Sequence, residues 1–130
     1  MAIDTKPLNH PEAFEELCKD ALSRVKEVSC DDVEAMMANG EEFLLIDVRD
    51  RDEFDAFRIH GATFLSKGWI EAKIHTVAED KAQKLVLYCG GGNRSALAVD
   101  NLQKMGYDNV LSMAGGIKAW ANSGKAVEED

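Results

Sequence analysis

Positive charge is scarce in this sequence. Its 130 residues hold 15 Lys and Arg against 24 Asp and Glu, a formal net charge of −9, and no stretch gathers basic residues into a stripe. Nucleic acid and anionic membrane surfaces recruit such stripes, so neither is expected as a partner. Cysteine is also sparse. Cys18, Cys30 and Cys89 are odd in number and widely spaced, which fits neither a disulfide framework nor a zinc site and points to a reducing compartment. His10, His60 and His75 never approach one another or an acid at ligand spacing, so no metal is expected. The segment Met1 to Pro7 lacks a basic region followed by an apolar one, and no apolar run nears membrane-spanning length; the expectation is a cytoplasmic protein. There is no internal repeat, low-complexity tract or second-domain linker. What remains is a composition of 45% hydrophobic and 30% charged residues, ordinary for one folded domain with its own core.

The chain is organised around Lys84 to Met105. Leu85-Val86-Leu87-Tyr88 is a short, continuously apolar run, as in a strand buried on both faces of a parallel sheet. Three glycines stop it. From Ser95 onward Ala98, Leu102 and Met105 recur at helical spacing, and Gly106 supplies a left-handed stop. Cys89 thus falls where a buried strand ends, and Arg94-Ser95 where a helix begins. Glycine has no Cβ to forbid the dihedrals that turn successive N–H groups inward, so Gly90 to Ser95 is read as an anion nest. A cysteine set in such a nest is expected largely as thiolate.

Upstream, Asn9 reads as an N-cap with Pro11 in the first turn and Glu12 at the capping-box position. Phe14, Leu17, Cys18, Ala21, Leu22 and Val25 follow a 3.6-residue period, an amphipathic helix docked on the domain with Cys18 as a small buried hydrophobe. A short strand over 25–28 leads to Ser29, which caps a helix carrying Val33, Met36 and Met37 and closed by Gly40. Cys30 opens that helix and is expected to be partly exposed. Glu42 to Arg49 reads as a second buried strand. Its carboxyl end places Asp47 and Arg49 beside the ligand crevice of a parallel sheet, either orienting the site or bracketing loops as an ion pair; for Asp47 the bracket is preferred. Asp50 and Glu53 form a capping box, with Phe54 and Phe57 on the inward face of a short helix. Ile59 to Leu65 is turn and strand, Ser66-Lys67-Gly68 opens a helical segment through Ile74, and Lys67 is either a second cation near an anionic substrate or solvated surface. Val110 to Met113 is a last strand, Gly115-Gly116 precedes a helix with Ile117 and Trp120, and Glu128 to Asp130 is a frayed acidic tail. Strands alternating with helices imply a parallel α/β sheet of about five strands.

Four motifs carry a resemblance. Asp47-Val48-Arg49 with Glu53-Phe54 downstream, the Ile59…Gly61-Ala62 turn, Cys89-x4-Arg94-Ser95, and Gly115-Gly116…Ala119-Trp120 together resemble the single-domain rhodaneses, the thiosulfate sulfurtransferases. The resemblance implies a rhodanese-like three-layer α/β fold, helices on both faces of the sheet, over residues 25–127, with an N-terminal helical extension at 1–24 and the tail at 128–130. It implies that Cys89 is catalytic and cycles between thiolate and persulfide. Gly90, Gly91, Gly92, Asn93, Arg94 and Ser95 would bind the donor, with Asp47, Arg49 and Glu53 supporting them. The implied partners are a small anionic sulfur donor, thiosulfate or a persulfide, and cyanide, a thiol or a thioredoxin-like protein as acceptor; no cofactor is implied.

Two departures from the family pattern stand out. Phe57-Arg58-Ile59-His60-Gly61-Ala62 replaces the usual Gly-His-Ile-Pro-Gly-Ala, which alters the local pocket. The loop has Arg94 as its one built-in cation, so thiosulfate is expected to be a poor donor. Two other readings stay open. A cysteine, a glycine loop and an arginine also serve phosphatases and arsenate reductases, but those resemble Cys-x5-Arg, one residue longer. A non-catalytic module that binds a partner is the second, although such modules often lack the cysteine.

Overall fold

Leu85-Val86-Leu87-Tyr88 lies at the centre of the sheet in the computed structural model, which describes residues 10–129. In chain order the elements are α1 (Glu12–Leu22), β1 (Lys26–Val28), α2 (Cys30–Ala38), β2 (Leu44–Asp47), α3 (Arg51–Ala56), β3 (Phe57–Arg58) and β4 (Thr63–Phe64). There follow α4 (Ile70–Lys73) with a 3-10 turn at Ile74–Thr76, β5 (Leu85–Tyr88), α5 (Asn93–Lys104), β6 (Val110–Met113), α6 (Gly116–Asn122) and β7 (Glu128–Glu129). Five strands form a parallel sheet in the order β1-β6-β5-β2-β4.

Strand alternation divides the core in two. Leu85, Leu87 and Cys89 face the layer where Ile70, Ile74, Val99 and Leu102 of the α4 and α5 region pack. Val86 and Tyr88 face Val33, Met36, Ile117 and Trp120 of α2 and α6. With both faces covered, β5 has no polar alternation, which is why its sequence is a continuous apolar run. Helix α1 packs against α5, and Arg24 just beyond its end holds Asp100 of α5 through Nε at 3.0 Å and a terminal nitrogen at 2.8 Å.

Several boundaries differ from the sequence reading. The expected N-cap Asn9 lies outside the described residues; Pro11 precedes the helix, and Glu12 is its first residue rather than a capping-box partner. Ser29 does cap α2, accepting the Asp32 N–H at 3.0 Å. Cys30, expected to be partly exposed, is only 9% accessible, with its thiol turned toward the carbonyls of Ala114 and Gly116. Phe57 is extended, not helical: φ −165° and ψ 153° place it in β3. The helix expected from Ser66 begins only at Ile70. Helix α5 starts at Asn93, so Arg94-Ser95 occupy its first turn. Of the tail expected to fray, Asp130 lies outside the described residues, while Glu128 and Glu129 pair with Arg58 and Phe57 in an antiparallel ribbon, and the Glu128 carboxylate contacts both Arg58 and His60. No helix among the described residues is long and apolar enough to cross a membrane.

Candidate active site

Cys89 is the first residue past the carboxyl end of β5, and it is 1% accessible. The chain reverses at Gly92, whose φ of 103° is a left-handed value open to glycine. A Cβ there would stand 3.2 Å from the Gly115 nitrogen, so the position is tight as well. The reversal brings the N–H of Gly92 to 3.1 Å and the N–H of Ser95 to 3.3 Å from Cys89 Sγ. Both donors stand at the start of a helix, the end whose N–H groups point outward. The Ser95 hydroxyl lies 3.5 Å from Sγ, donates to the Gly92 carbonyl at 3.2 Å, and shares a 2.8 Å hydrogen bond with the Ser112 hydroxyl of β6.

A second glycine pair locks this loop from behind. A Cβ on Gly116 would fall 2.5 Å from the carbonyl oxygens of Cys89 and Gly90. That approach lets the N–H groups of Ile117 and Lys118 donate to the same two carbonyls at 2.9 and 3.0 Å. The first turn of α6 therefore occupies the carbonyls of the loop. It also carries the Lys118 side chain to the mouth of a cleft of about 290 Å³.

Cys89, Gly91, Asn93 and Arg94 line that cleft together with His10, which precedes α1, and Phe14 and Glu15 near the start of α1. Gly90, Gly92 and Ser95 are buried behind the sulfur. Arg94, expected as the built-in cation for a substrate, is held by Glu53 through two parallel hydrogen bonds of 2.8 and 3.1 Å. Glu53 also accepts the Asp50 N–H at 3.1 Å, the returning half of the expected capping box. Burial alone would push the Glu53 carboxyl up, but its bonds to Arg94 and Asp50 and the charges of Arg94 and Arg49 hold it below the usual carboxylate range.

Asp47 and Arg49 do not line the cleft. The Asp47 carboxylate accepts the Arg49 backbone N–H at 2.9 Å and its guanidinium at 2.8 to 3.2 Å, and that guanidinium donates to the Phe57 carbonyl at 2.6 Å while lying over the Phe57 ring. Both are buried, and they bracket the loop that leaves β2. Burial alone would lower the Arg49 pKa; the hydrogen bonds and charge of Asp47 outweigh it. Arg58 turns to Glu128 and the Phe54 carbonyl. Lys67 lines a separate groove between α1 and α5, beside Arg24 and Asp100.

Lys118, His10, Phe14 and Glu15 were not candidates from the sequence. Gly115-Gly116 was the available signal for Lys118, because a helix opened by two glycines can abut another backbone. Nothing in the local pattern of α1 set its polar positions apart from solvated surface.

A cysteine sulfur that accepts two backbone N–H groups at the strand-to-helix loop of a parallel sheet defines the class as an α/β protein with a cysteine loop at the carboxyl end of its central strand. Comparison with known proteins narrows this class. The Rhodanese-like domain family matches residues 29–123, well over half of the chain, and the chain belongs to that family. It is 33% identical over 100 residues to a sulfurtransferase of Allochromatium vinosum, covering 77% of this chain and 92% of that protein. It is 37% identical over 83 residues to the "Probable adenylyltransferase/sulfurtransferase MoeZ" of Mycobacterium tuberculosis, covering 64% of this chain and 21% of that protein; the chain thus spans about a fifth of that relative. A solved Rhodopseudomonas palustris protein of unknown function, described as a possible tyrosine phosphatase, matches with a TM-score of 0.80 at 28% identity, over 95% of this chain and 99% of that one.

Proposed function

We propose that the protein is a sulfurtransferase that moves sulfane sulfur from a donor to a thiol or cyanide through a persulfide on Cys89. The observation that carries this reading is the Cys89 sulfur held by the N–H groups of Gly92 and Ser95, with Cys89 lining a cleft of about 290 Å³. With thiosulfate as donor, the Cys89 thiolate attacks the outer sulfur, the sulfur–sulfur bond of the donor breaks, and sulfite leaves with the electron pair. The persulfide left behind is an anion, and the same N–H groups favour it. An acceptor thiolate then attacks the terminal sulfur and departs as a persulfide, while Cys89 keeps the electron pair as thiolate. This is nucleophilic catalysis in two halves, each balanced in atoms and charge. Gly90 to Ser95 shape the loop. Glu53 positions Arg94, and the Asp47–Arg49 pair brackets the loop that leaves β2, outside the cleft.

Intact-protein mass before and after thiosulfate treatment tests the assignment. The wild type gains the mass of one sulfur and Cys89→Ser does not; a gain that survives in Cys89→Ser overturns the role of Cys89. The Rhodopseudomonas palustris relative brings phosphate-ester hydrolysis into view. Here the Cys-x4-Arg spacing and the engagement of Arg94 by Glu53 leave a poorer cradle for a tetrahedral phosphate. Hydrolysis of p-nitrophenyl phosphate at rates rivalling sulfur transfer would replace the sulfurtransferase reading.

A further inference from the structure

Ser112 is a polar residue in the middle of an apolar strand. It pairs in register with Leu87 of β5, whose side chain faces the α5 layer, and it is fully buried. Among the described residues the one polar partner of its hydroxyl is Ser95 Oγ, at 2.8 Å. A buried hydroxyl proton without an acceptor is costly. Ser95 has an acceptor elsewhere, the Gly92 carbonyl at 3.2 Å, whereas Ser112 has none, so the proton between the two hydroxyls comes from Ser112. That order leaves the Ser95 proton for the Cys89 loop. While Cys89 is a thiol, its S–H donates to Ser95 Oγ at 3.5 Å, both lone pairs of that oxygen are taken, and the Ser95 proton rests on the Gly92 carbonyl. A negatively charged Sγ has no proton to give and accepts instead, so the Ser95 proton can turn to it. The Gly92 carbonyl is not stranded by that turn, because the Ala96 N–H also donates to it at 3.3 Å. Charged Sγ then collects the Ser95 hydroxyl besides the N–H groups of Gly92 and Ser95.

Building on the sulfurtransferase reading, we propose that Ser112 is a positioning residue for sulfur discharge: by donating to Ser95 Oγ it turns the Ser95 hydroxyl toward Cys89 Sγ as that sulfur becomes the leaving group. The acceptor attacks the terminal sulfur, the bond from that sulfur to Sγ breaks, and Sγ keeps the electron pair. Ser95 lends a hydrogen bond to the charge that forms there and retains its own proton. The bond that Ser95 accepts from Ser112 polarises its hydroxyl and strengthens that donation. Ser112 itself stands behind the loop and does not line the cleft.

The test uses the full chain, loaded from thiosulfate and discharged with cyanide in a single turnover, as wild type, Ser112→Ala, Ser95→Ala and the double variant. Cyanide takes the terminal sulfur as thiocyanate while Cys89 leaves as thiolate, so the rate reports on the leaving sulfur. Ser112→Ala is expected to discharge about threefold more slowly, the size of one neutral hydrogen bond, with the thiosulfate concentration for half-maximal loading unchanged. Ser95→Ala removes the donor itself and is expected to discharge about tenfold more slowly, as for a hydrogen bond to a charged group. Adding Ser112→Ala to it is expected to slow discharge no further. The proton order has a readout apart from activity: Ser95→Ala strands the buried Ser112 hydroxyl, so the double variant should have the higher urea midpoint of the two. A wild-type discharge rate in Ser112→Ala, a threefold loss that recurs in the Ser95→Ala background, a shifted half-maximal thiosulfate concentration, or a double variant with the lower urea midpoint overturns the positioning role while leaving sulfur transfer standing. Failure of the wild type to gain the mass of one sulfur overturns the transfer reading and this inference together.

Discussion

Replacing Glu53 by glutamine keeps the side chain's shape and removes its charge, so it separates two jobs that one carboxylate performs. Glu53 holds Arg94 in a paired geometry and closes the start of α3 onto the Asp50 N–H. The side chains of Arg94 and Glu53 are 29% and 34% accessible, so the pair lies between an exposed bridge, worth up to about 1 kcal/mol, and a buried charged hydrogen bond, worth about 1.5–3 kcal/mol. Glutamine can keep one amide oxygen on either partner but not the charge on both. A loss of about 1.5–2 kcal/mol is expected, read as a lower urea midpoint at unchanged m-value. The pH dependence carries the sign. The folded state holds the Glu53 carboxyl below its ordinary value, so its stabilisation is complete above the unfolded value near 4.5 and fades as pH falls through the folded one. The gap between wild type and Glu53→Gln should therefore narrow in acid. Activity should move the opposite way, because an Arg94 released from its counter-charge attracts an anionic donor. With water-like screening, one charge about 4 Å away is worth about 1 kcal/mol, or about a fivefold faster loading of Cys89 from thiosulfate. Equal stability of the two proteins at neutral pH, or a gap that persists undiminished at pH 3, would refute the account of Glu53 given above.

Three further substitutions test the bracket on the loop after β2 and the packing of α6 on the Cys89 loop. Arg49→Leu leaves the Asp47 carboxylate buried without its partner and is expected to cost about 3–5 kcal/mol by chemical denaturation, whereas a cost under about 1 kcal/mol would mean that the bracket holds nothing. Gly116→Ala drives a Cβ to 2.5 Å from two carbonyl oxygens at a φ of 60° and is expected to lose at least about 2 kcal/mol. Gly91→Ala, with open space at its Cβ, should stay within about 0.5 kcal/mol; equal losses for the two alanines would contradict the close contact between α6 and the Cys89 loop.

Much of this protein is written locally. The Leu85–Tyr88 run, the glycine reversal and the helix that follows specify a strand, a nest and a thiol between them, because each depends on side-chain pattern and backbone freedom within a few residues. Ser29 and the Asp50–Glu53 pair act across a single helical turn and were legible for the same reason, as was the ordered set of motifs that the family shares. The misread boundaries mark where distant contacts outweigh local preference: Phe57 leaves its helix and the Glu128 segment becomes ordered because the two strands pair with each other. Charge balance at the site was hidden for the same physical reason. Arg94 looked like a cation offered to substrate until tertiary contact set Glu53, 41 residues away, against it. Lys118, Glu15 and Phe14 reach the cleft only through the docking of α6 on the loop and of α1 on α5. The sequence by itself determined the parallel α/β architecture and the thiol in its nest; the tertiary structure alone decided which charges surround that thiol, since through-space pairing leaves no periodic trace along the chain.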